Sequence, residues 1–188
     1  MIRYSVSTAP TLYPVSVDEA ADQLGLDSSE FDALIQGYVS AATTVVENYL
    51  NRALITRTYT GFMDCFDGAT IPLPMPPLAS VSYIKVYDDA DAVTTVDSAD
   101  YYVSTGDWFP KIALRSGASW PSVYRVADGV EIRWVAGYGS TPASVPESIR
   151  QSILLIVAAL EGNTGDTDFT IPKAAEYLLD PFRLLPLA

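Results

Sequence analysis

The chain contains no histidine. That absence removes the Ser-His-Asp triad, the Cys-His pair and every histidine-ligated metal site. Cysteine occurs once, as Cys65, so no internal disulfide framework forms and the composition fits a reducing compartment. Without an imidazole to activate it, and beside Phe66, Cys65 reads as a small strand or loop residue rather than a nucleophile. Long apolar runs are missing as well. Ile153–Leu160 has eight residues, against the ~18–20 needed to cross a bilayer, and Met1-Ile2-Arg3-Tyr4-Ser5 lacks the apolar stretch of a secretory signal. No membrane partner is expected, and no internal repeat or low-complexity tract is present.

Positive charge is scarce. Eleven Lys and Arg face twenty-three Asp and Glu, for a net charge of −12, and no two basic residues are adjacent. Gripping a phosphate backbone takes clustered Lys and Arg, so this surface is not built to hold nucleic acid. Acids spread along the whole chain read first as solubility; a surface that DNA passes without sticking is the sharper reading, which charge alone does not select.

What is present is enough for one domain with a core and a sizeable insertion: 188 residues, 49% of them apolar, with mean hydropathy +0.18. Residues 1–15 look extended, since Pro10 and Pro14 oppose helix. Ser16 with Glu19 is an S-x-x-E capping box opening a first helix, which Leu24-Gly25 ends. Asp27 or Ser28 caps a second helix running to Leu50. Its apolar positions Phe31, Leu34, Ile35, Tyr38, Ala42, Val45, Val46 and Tyr49 recur at three- and four-residue steps, with Glu30, Gln36, Ser40, Thr43 and Glu47 mostly elsewhere. β-type sequence follows: strands at Thr56–Phe62, Val81–Tyr87, Tyr101–Ser104, Lys111–Leu114 and Val130–Val135, with the proline-rich Ile71–Leu78 as an extended edge or loop. Ala136-Gly137-Tyr138-Gly139 is a strand exit that needs unusual backbone angles. Pro146 begins a third helix, Glu147–Leu160, whose buried stripe is Ile149, Ile153, Ile156, Val157 and Leu160. A polar link, Gly162–Asp168, leads to a short last helix, Lys173–Leu179.

The fold class is therefore α+β: a small helical bundle of three main helices plus a carboxyl-terminal helix and tail, interrupted by an antiparallel β insert. Residues 1–52 form its amino-terminal helical part, 53–135 the β-rich insert, 136–168 the third helix completing the bundle, and 169–188 the last helix and tail.

Chemistry-bearing clusters are few. Asp88, Asp89 and Asp91 lie in a turn, and Asp166 and Asp168 in the polar link. Either group could offer oxygen ligands to a hard cation, but Asp is also the ordinary turn residue and neither has the twelve-residue Ca²⁺ loop pattern. No metal or cofactor is assigned. Gly137-Tyr138-Gly139-Ser140 lacks the Gly-Lys of a P-loop. Trp108, Trp120 and Trp134 could form a carbohydrate platform on the β insert, although aromatic residues favour strands and cores for their own sake. Paired carboxylates for glycoside hydrolysis would need a separation in space that sequence does not supply. No catalytic residue is assigned, and an enzyme is not expected.

The carboxyl end stands apart. Tyr177, Leu178, Leu179, Phe182, Leu184, Leu185 and Leu187 crowd seven large apolar side chains into eleven residues, while Pro181 and Pro186 prevent one continuous helix. A chain end of that composition either folds back on its own helices or docks on another chain.

In their order the parts resemble the head–tail connector (adaptor, head-completion) proteins of long-tailed bacteriophages, prophages and gene transfer agents. The matching pieces are Pro14-Val15-Ser16-Val17-Asp18-Glu19-Ala20, Val46-Glu47-Asn48-Tyr49-Leu50-Asn51-Arg52, Ala136-Gly137-Tyr138-Gly139, Val145–Ile153 and Leu178-Leu179-Asp180-Pro181-Phe182-Arg183. The resemblance implies a structural virion protein made in the bacterial cytoplasm and assembled as a ring, commonly a dodecamer, at the head–tail junction. The ring would bind the portal protein, carry the channel for packaged double-stranded DNA towards a stopper or tail-completion protein, and make no sequence-specific DNA contact. The docking tail then comprises Tyr177, Leu178, Leu179, Pro181, Phe182, Arg183, Leu184, Leu185 and Leu187. Phe31, Leu34, Tyr38, Val45, Tyr49, Ile149, Ile153 and Ile156 become core or subunit-contact positions on the helices. A lumen of negative or mixed potential is expected. The alternatives are a stopper or tail-terminus protein of the same neck, and a carbohydrate-binding or hydrolase domain on the β insert.

Overall fold

The structure is a computed structural model that describes residues 2–26, 28–106, 108–163 and 169–184. It is α+β, and it divides into two compact units: Met1–Ala9 with Thr56–Tyr138, and Pro10–Ile55 with Gly139–Ala188.

The second unit is helical, with α1 (Val17–Leu24), α2 (Ser28–Leu50), α3 (Glu147–Gly162) and α4 (Lys173–Leu179). The capping box forms as the sequence predicts: the Glu19 amide donates to Ser16 Oγ at 3.1 Å, and the Ser16 amide donates to Glu19 Oε2 at 2.8 Å. At the other end Gly25 takes φ 68°, a left-handed conformation that costs glycine little, and the Leu26 amide reaches back to Ala21 O at 3.1 Å. Arg150 of α3 fastens this start in place. Its Nε donates to Pro14 O at 3.0 Å, and its two terminal nitrogens pair with Glu147 at 2.7 Å and with Glu19. The expected cap at Asp27 lies outside the described residues.

Helix α3 packs on α1, α2 and α4, and α1 also packs on α2. Ile149, Ile153, Ile156 and Val157 are fully buried as expected, while Leu160 is only half-buried. On α2 the core face is turned round the helix from its expected apolar positions. Ile35, Val39, Ala42, Val46 and Leu50 are its buried apolar residues. Phe31 and Leu34, offered as core or contact positions, are exposed, and Tyr38, Val45 and Tyr49 are half-buried. Apolar residues at three- and four-residue steps fill about half the helix circumference, and one packing face cannot bury all of them. Thr43 and Glu47 correct the expectation the other way: both are buried. Glu47 is held inside because its Oε1 accepts the Leu54 amide at 3.1 Å, just past the helix end.

The first unit holds a five-stranded antiparallel sheet in the order β1-β2-β8-β4-β5. Its strands are β1 (Arg3–Thr8), β2 (Arg57–Met63), β4 (Leu78–Tyr87), β5 (Val93–Thr95) and β8 (Val130–Ala136). A second sheet, ordered β3-β7-β6, joins β3 (Thr70–Pro72), β7 (Lys111–Leu114) and β6 (Tyr101–Ser104). Residues expected to be merely extended at the amino terminus form β1, pairing Tyr4 with Gly61 and Val6 with Tyr59. The amino-terminal division at 1–52 therefore loses its first nine residues to the β unit. Strand pairing across more than fifty residues of chain leaves no local sequence mark.

Alternation decides the two faces of the large sheet. Tyr59, Ile84, Val86, Val130, Ile132 and Trp134 are buried, with Tyr59 and Trp134 stacked at 5.5 Å. The opposite face is polar. There Glu131 accepts hydrogen bonds from the hydroxyls of Tyr83, at 2.5 Å, and Tyr87. Lys85 Nζ sits 4.3 Å above the Tyr83 ring and the Arg125 guanidinium 5.3 Å from that of Tyr87. Burial pushes the Glu131 carboxyl up, but the two hydroxyls and the charges of Lys85 and Arg133 outweigh it and hold the group below its ordinary range. The same bond to Glu131, with burial behind it, pushes the Tyr87 hydroxyl up to about 12.

Candidate docking site at the carboxyl end

Helix α2 finishes in Tyr49-Leu50-Asn51-Arg52, and each of these residues holds the carboxyl segment in a different way. Asn51 stands at φ 54°, the left-handed turn that asparagine tolerates better than other non-glycine residues. That turn lets the Arg52 amide close back on Glu47 O at 3.2 Å. It also presents the free end of the helix to residues 180–184. Leu50 O, one of the carbonyls a helix leaves without an internal partner, accepts the Leu184 amide at 3.1 Å. Asn51 Nδ2 donates to Leu184 O at 3.1 Å, and Arg52 Nε donates to Phe182 O at 2.6 Å.

Arg52 is only 2% exposed. A short charge-assisted bond from a buried guanidinium is among the stronger contacts available to a backbone carbonyl. The Tyr49 hydroxyl donates to Asp180 Oδ1 at 2.8 Å, and the Arg183 guanidinium lies over the Tyr49 ring at 4.4 Å. The Tyr49 hydroxyl is pushed up from its ordinary value, first by that bond to Asp180 and then by burial. Just upstream of the segment, Ala175 and Leu179 of α4 are fully buried, and the buried Ser152 of α3 reaches Ala175 O at 3.4 Å.

The docking residues drawn from the sequence therefore part company. Leu179 is a core residue and cannot dock on anything else without unfolding α4. Leu178, Phe182 and Leu184 are half-buried, and Pro181 and Arg183 are exposed. Tyr177 is 75% exposed. Leu185 and Leu187 lie outside the described residues. Of the two fates open to the tail, folding back on its own helices holds as far as Leu184, because Leu50, Asn51 and Arg52 supply partners for its backbone and Tyr49 holds the side chains of Asp180 and Arg183. Asn51 and Arg52 were missed as anchors. Asparagine directly after a long helix is a left-handed cap signal, and an arginine beside it brings a long side-chain donor to the helix end.

The remaining sequence candidates are dispersed. Asp88 is a turn former whose Oδ1 accepts the amides of Ala90 at 2.9 Å and Ala92 at 2.8 Å. Asp166 and Asp168 lie outside the described residues. Gly137, at φ 131°, is the strand exit its motif indicated. Cys65 is exposed. Trp134 is core, Trp108 is exposed, and Trp120 stacks on Phe66 at 4.6 Å while its indole N–H donates to Gly68 O at 2.9 Å. The open cleft of about 460 Å³ beside Phe66 and Trp120 has no carboxylate in its lining among the described residues.

Residues 14–93 match the family model of phage gp6-like head-tail connector proteins. Among solved structures, the fold is similar to a chain in the neck of an empty GTA particle computed with C6 symmetry. That likeness has TM-score 0.85 at 25% identity and covers 99% of this chain and 97% of that one. A chain in the neck of a native GTA particle computed with C12 symmetry matches with TM-score 0.80 at 25% identity, over 100% of this chain and 97% of that one. A chain from the virion of a native gene transfer agent (GTA) particle matches in fold with TM-score 0.83 at 24% identity, over 98% and 97%. No curated protein matches.

Proposed function

We propose that this chain, a structural head–tail connector protein of the virion neck, is the adaptor that docks on the portal ring through its carboxyl segment. The likeness to neck proteins over practically the whole of both chains carries this reading. In it, copies of the chain form a ring, taken as a dodecamer. The ring meets the portal protein on one side and a stopper or tail-completion protein on the other, and packaged double-stranded DNA passes through without base-specific contacts. A net charge of −12 with dispersed basic residues supports a wall that does not retard the duplex, since phosphate contacts add along its length. The clamp at the end of α2 supports the docking role. It fixes where residue 184 leaves the bundle, so part of the entropy cost of ordering a docking peptide is met before the partner arrives.

The test follows from the last anchored residue. A chain ended after Leu184 keeps every hydrogen bond described at α2, so it should melt like the full chain. It loses Leu185 and Leu187, and its affinity for isolated portal rings, read by surface plasmon resonance, should fall about a hundredfold or more. Unchanged binding by the shortened chain would remove the docking tail from the mechanism.

A further inference from the structure

Helix α2 has two apolar faces, and the bundle uses one. Ile35, Val39, Ala42, Val46 and Leu50 turn inward and are buried. About a quarter turn round the helix lie Phe31, Leu34, Tyr38, Ala41 and Val45, at successive steps of three, four, three and four. Phe31 is 40% exposed and Leu34 51% exposed. Ala41 is open to solvent, and Tyr38 and Val45 are half-buried. Position at the edge of a core accounts for Tyr38 and Val45. It does not account for a phenylalanine and a leucine that both stand in water at the same helical pitch. Alternating three- and four-residue steps make a seam that stays under a neighbouring helix, here for two heptads.

We propose that this seam is the lateral contact of the ring, covered by a helix of the next copy of the same chain. This rests on the ring reading above. Charge argues for a copy contact at this place. Copies that each carry a net −12 repel one another, which favours contact through faces that carry few acids. The five seam positions hold none, while Asp32, Gln36 and Thr44 occupy other sides of the helix. A cyclic ring joins unlike patches head to tail, so the seam meets a different helical face of its neighbour rather than its own image.

Full-length protein and the Leu34→Glu variant, titrated onto isolated portal rings, are compared by counting bound copies with native mass spectrometry. Self-association of each protein alone is followed by sedimentation equilibrium. Leu34 is half open to water, so the variant should fold and melt normally. Ala41→Glu, at an exposed position, replaces it if it does not. Wild-type protein should fill the ring cooperatively. Leu34→Glu should bind as separate copies, with each copy-to-copy contact about tenfold to a hundredfold weaker. Thr44→Glu, on the polar side, should assemble as wild type. Cooperative filling by Leu34→Glu overturns the seam. Loss of even the first bound copy also overturns it, by assigning the face to the portal. A wild-type protein that neither crowds on a portal nor self-associates overturns it too. Failure of the adaptor reading looks different: no wild-type copy binds the portal, while self-association is still abolished by Leu34→Glu.

Discussion

Replacing Arg52 with methionine should release the carboxyl segment without melting the bundle. Methionine keeps most of the buried volume at a position that is 2% exposed, but it removes the donor that meets Phe182 O at 2.6 Å. A hydrogen bond to a charged group contributes ~1.5–3 kcal/mol, and a carbonyl left buried without a donor carries its own desolvation cost of ~1–3 kcal/mol. Phe182 can return to water when the segment lifts, so the smaller figure applies, and local detachment becomes easier by about 2 kcal/mol. At ~1.4 kcal/mol per decade this is about thirtyfold. Native-state hydrogen exchange at the Leu184 amide, which donates to Leu50 O, reads that opening directly. Its protection should fall by about thirtyfold, while amides in the middle of α2 and α3 stay within about twofold. Asn51→Gly preserves the left-handed turn and removes only the bond to Leu184 O, so it should cost less, ~0.5–1.5 kcal/mol. Equal protection at Leu184 in wild type and Arg52→Met would refute the clamp. So would a collapse of protection throughout the helices, which would make Arg52 a core residue with no special hold on the tail.

Two titrations follow from the same geometry. The Glu19 carboxyl is held below its ordinary range, first by the Ser16 amide and then, against burial, by Arg150. Its stabilisation is therefore fully present above the unfolded pKa of ~4.3 and is lost as pH falls through the lower folded value. The stability gap between wild type and Glu19→Gln in urea, about 1 kcal/mol or less for so exposed a pair, should be largest near neutrality and close in acid; a gap that does not change with pH excludes the charge as its source. Tyr87 is the opposite case. Its hydroxyl is pushed up to about 12 from an ordinary 10.0, so the stability it lends is whole below the unfolded value and fades as pH rises through the folded one. Absorbance at 295 nm should show it among the last tyrosines to ionise, and Glu131→Gln should bring that step back towards 10; an unmoved step would mean that burial alone sets it.

The local chain declared much of this protein. The Ser16–Glu19 box, the Gly25 stop, the strands around Tyr83 and Trp134 and the apolar stripe of α3 are contests settled within a few residues, by capping, backbone freedom and period. An α+β fold follows from them. Which side of α2 is buried was not written there, because its apolar residues outnumber the positions one packing face can cover. Nor was the pairing of β1 with β2, or the anchoring of Phe182 and Leu184 on Asn51 and Arg52, more than 130 residues away in the case of Asn51 and Leu184. Composition raised the question of what covers the apolar residues between Tyr177 and Leu187. Only the tertiary structure decided how much of that end is already spent inside its own subunit, since that depends on which carbonyls and donors a distant helix end happens to leave free.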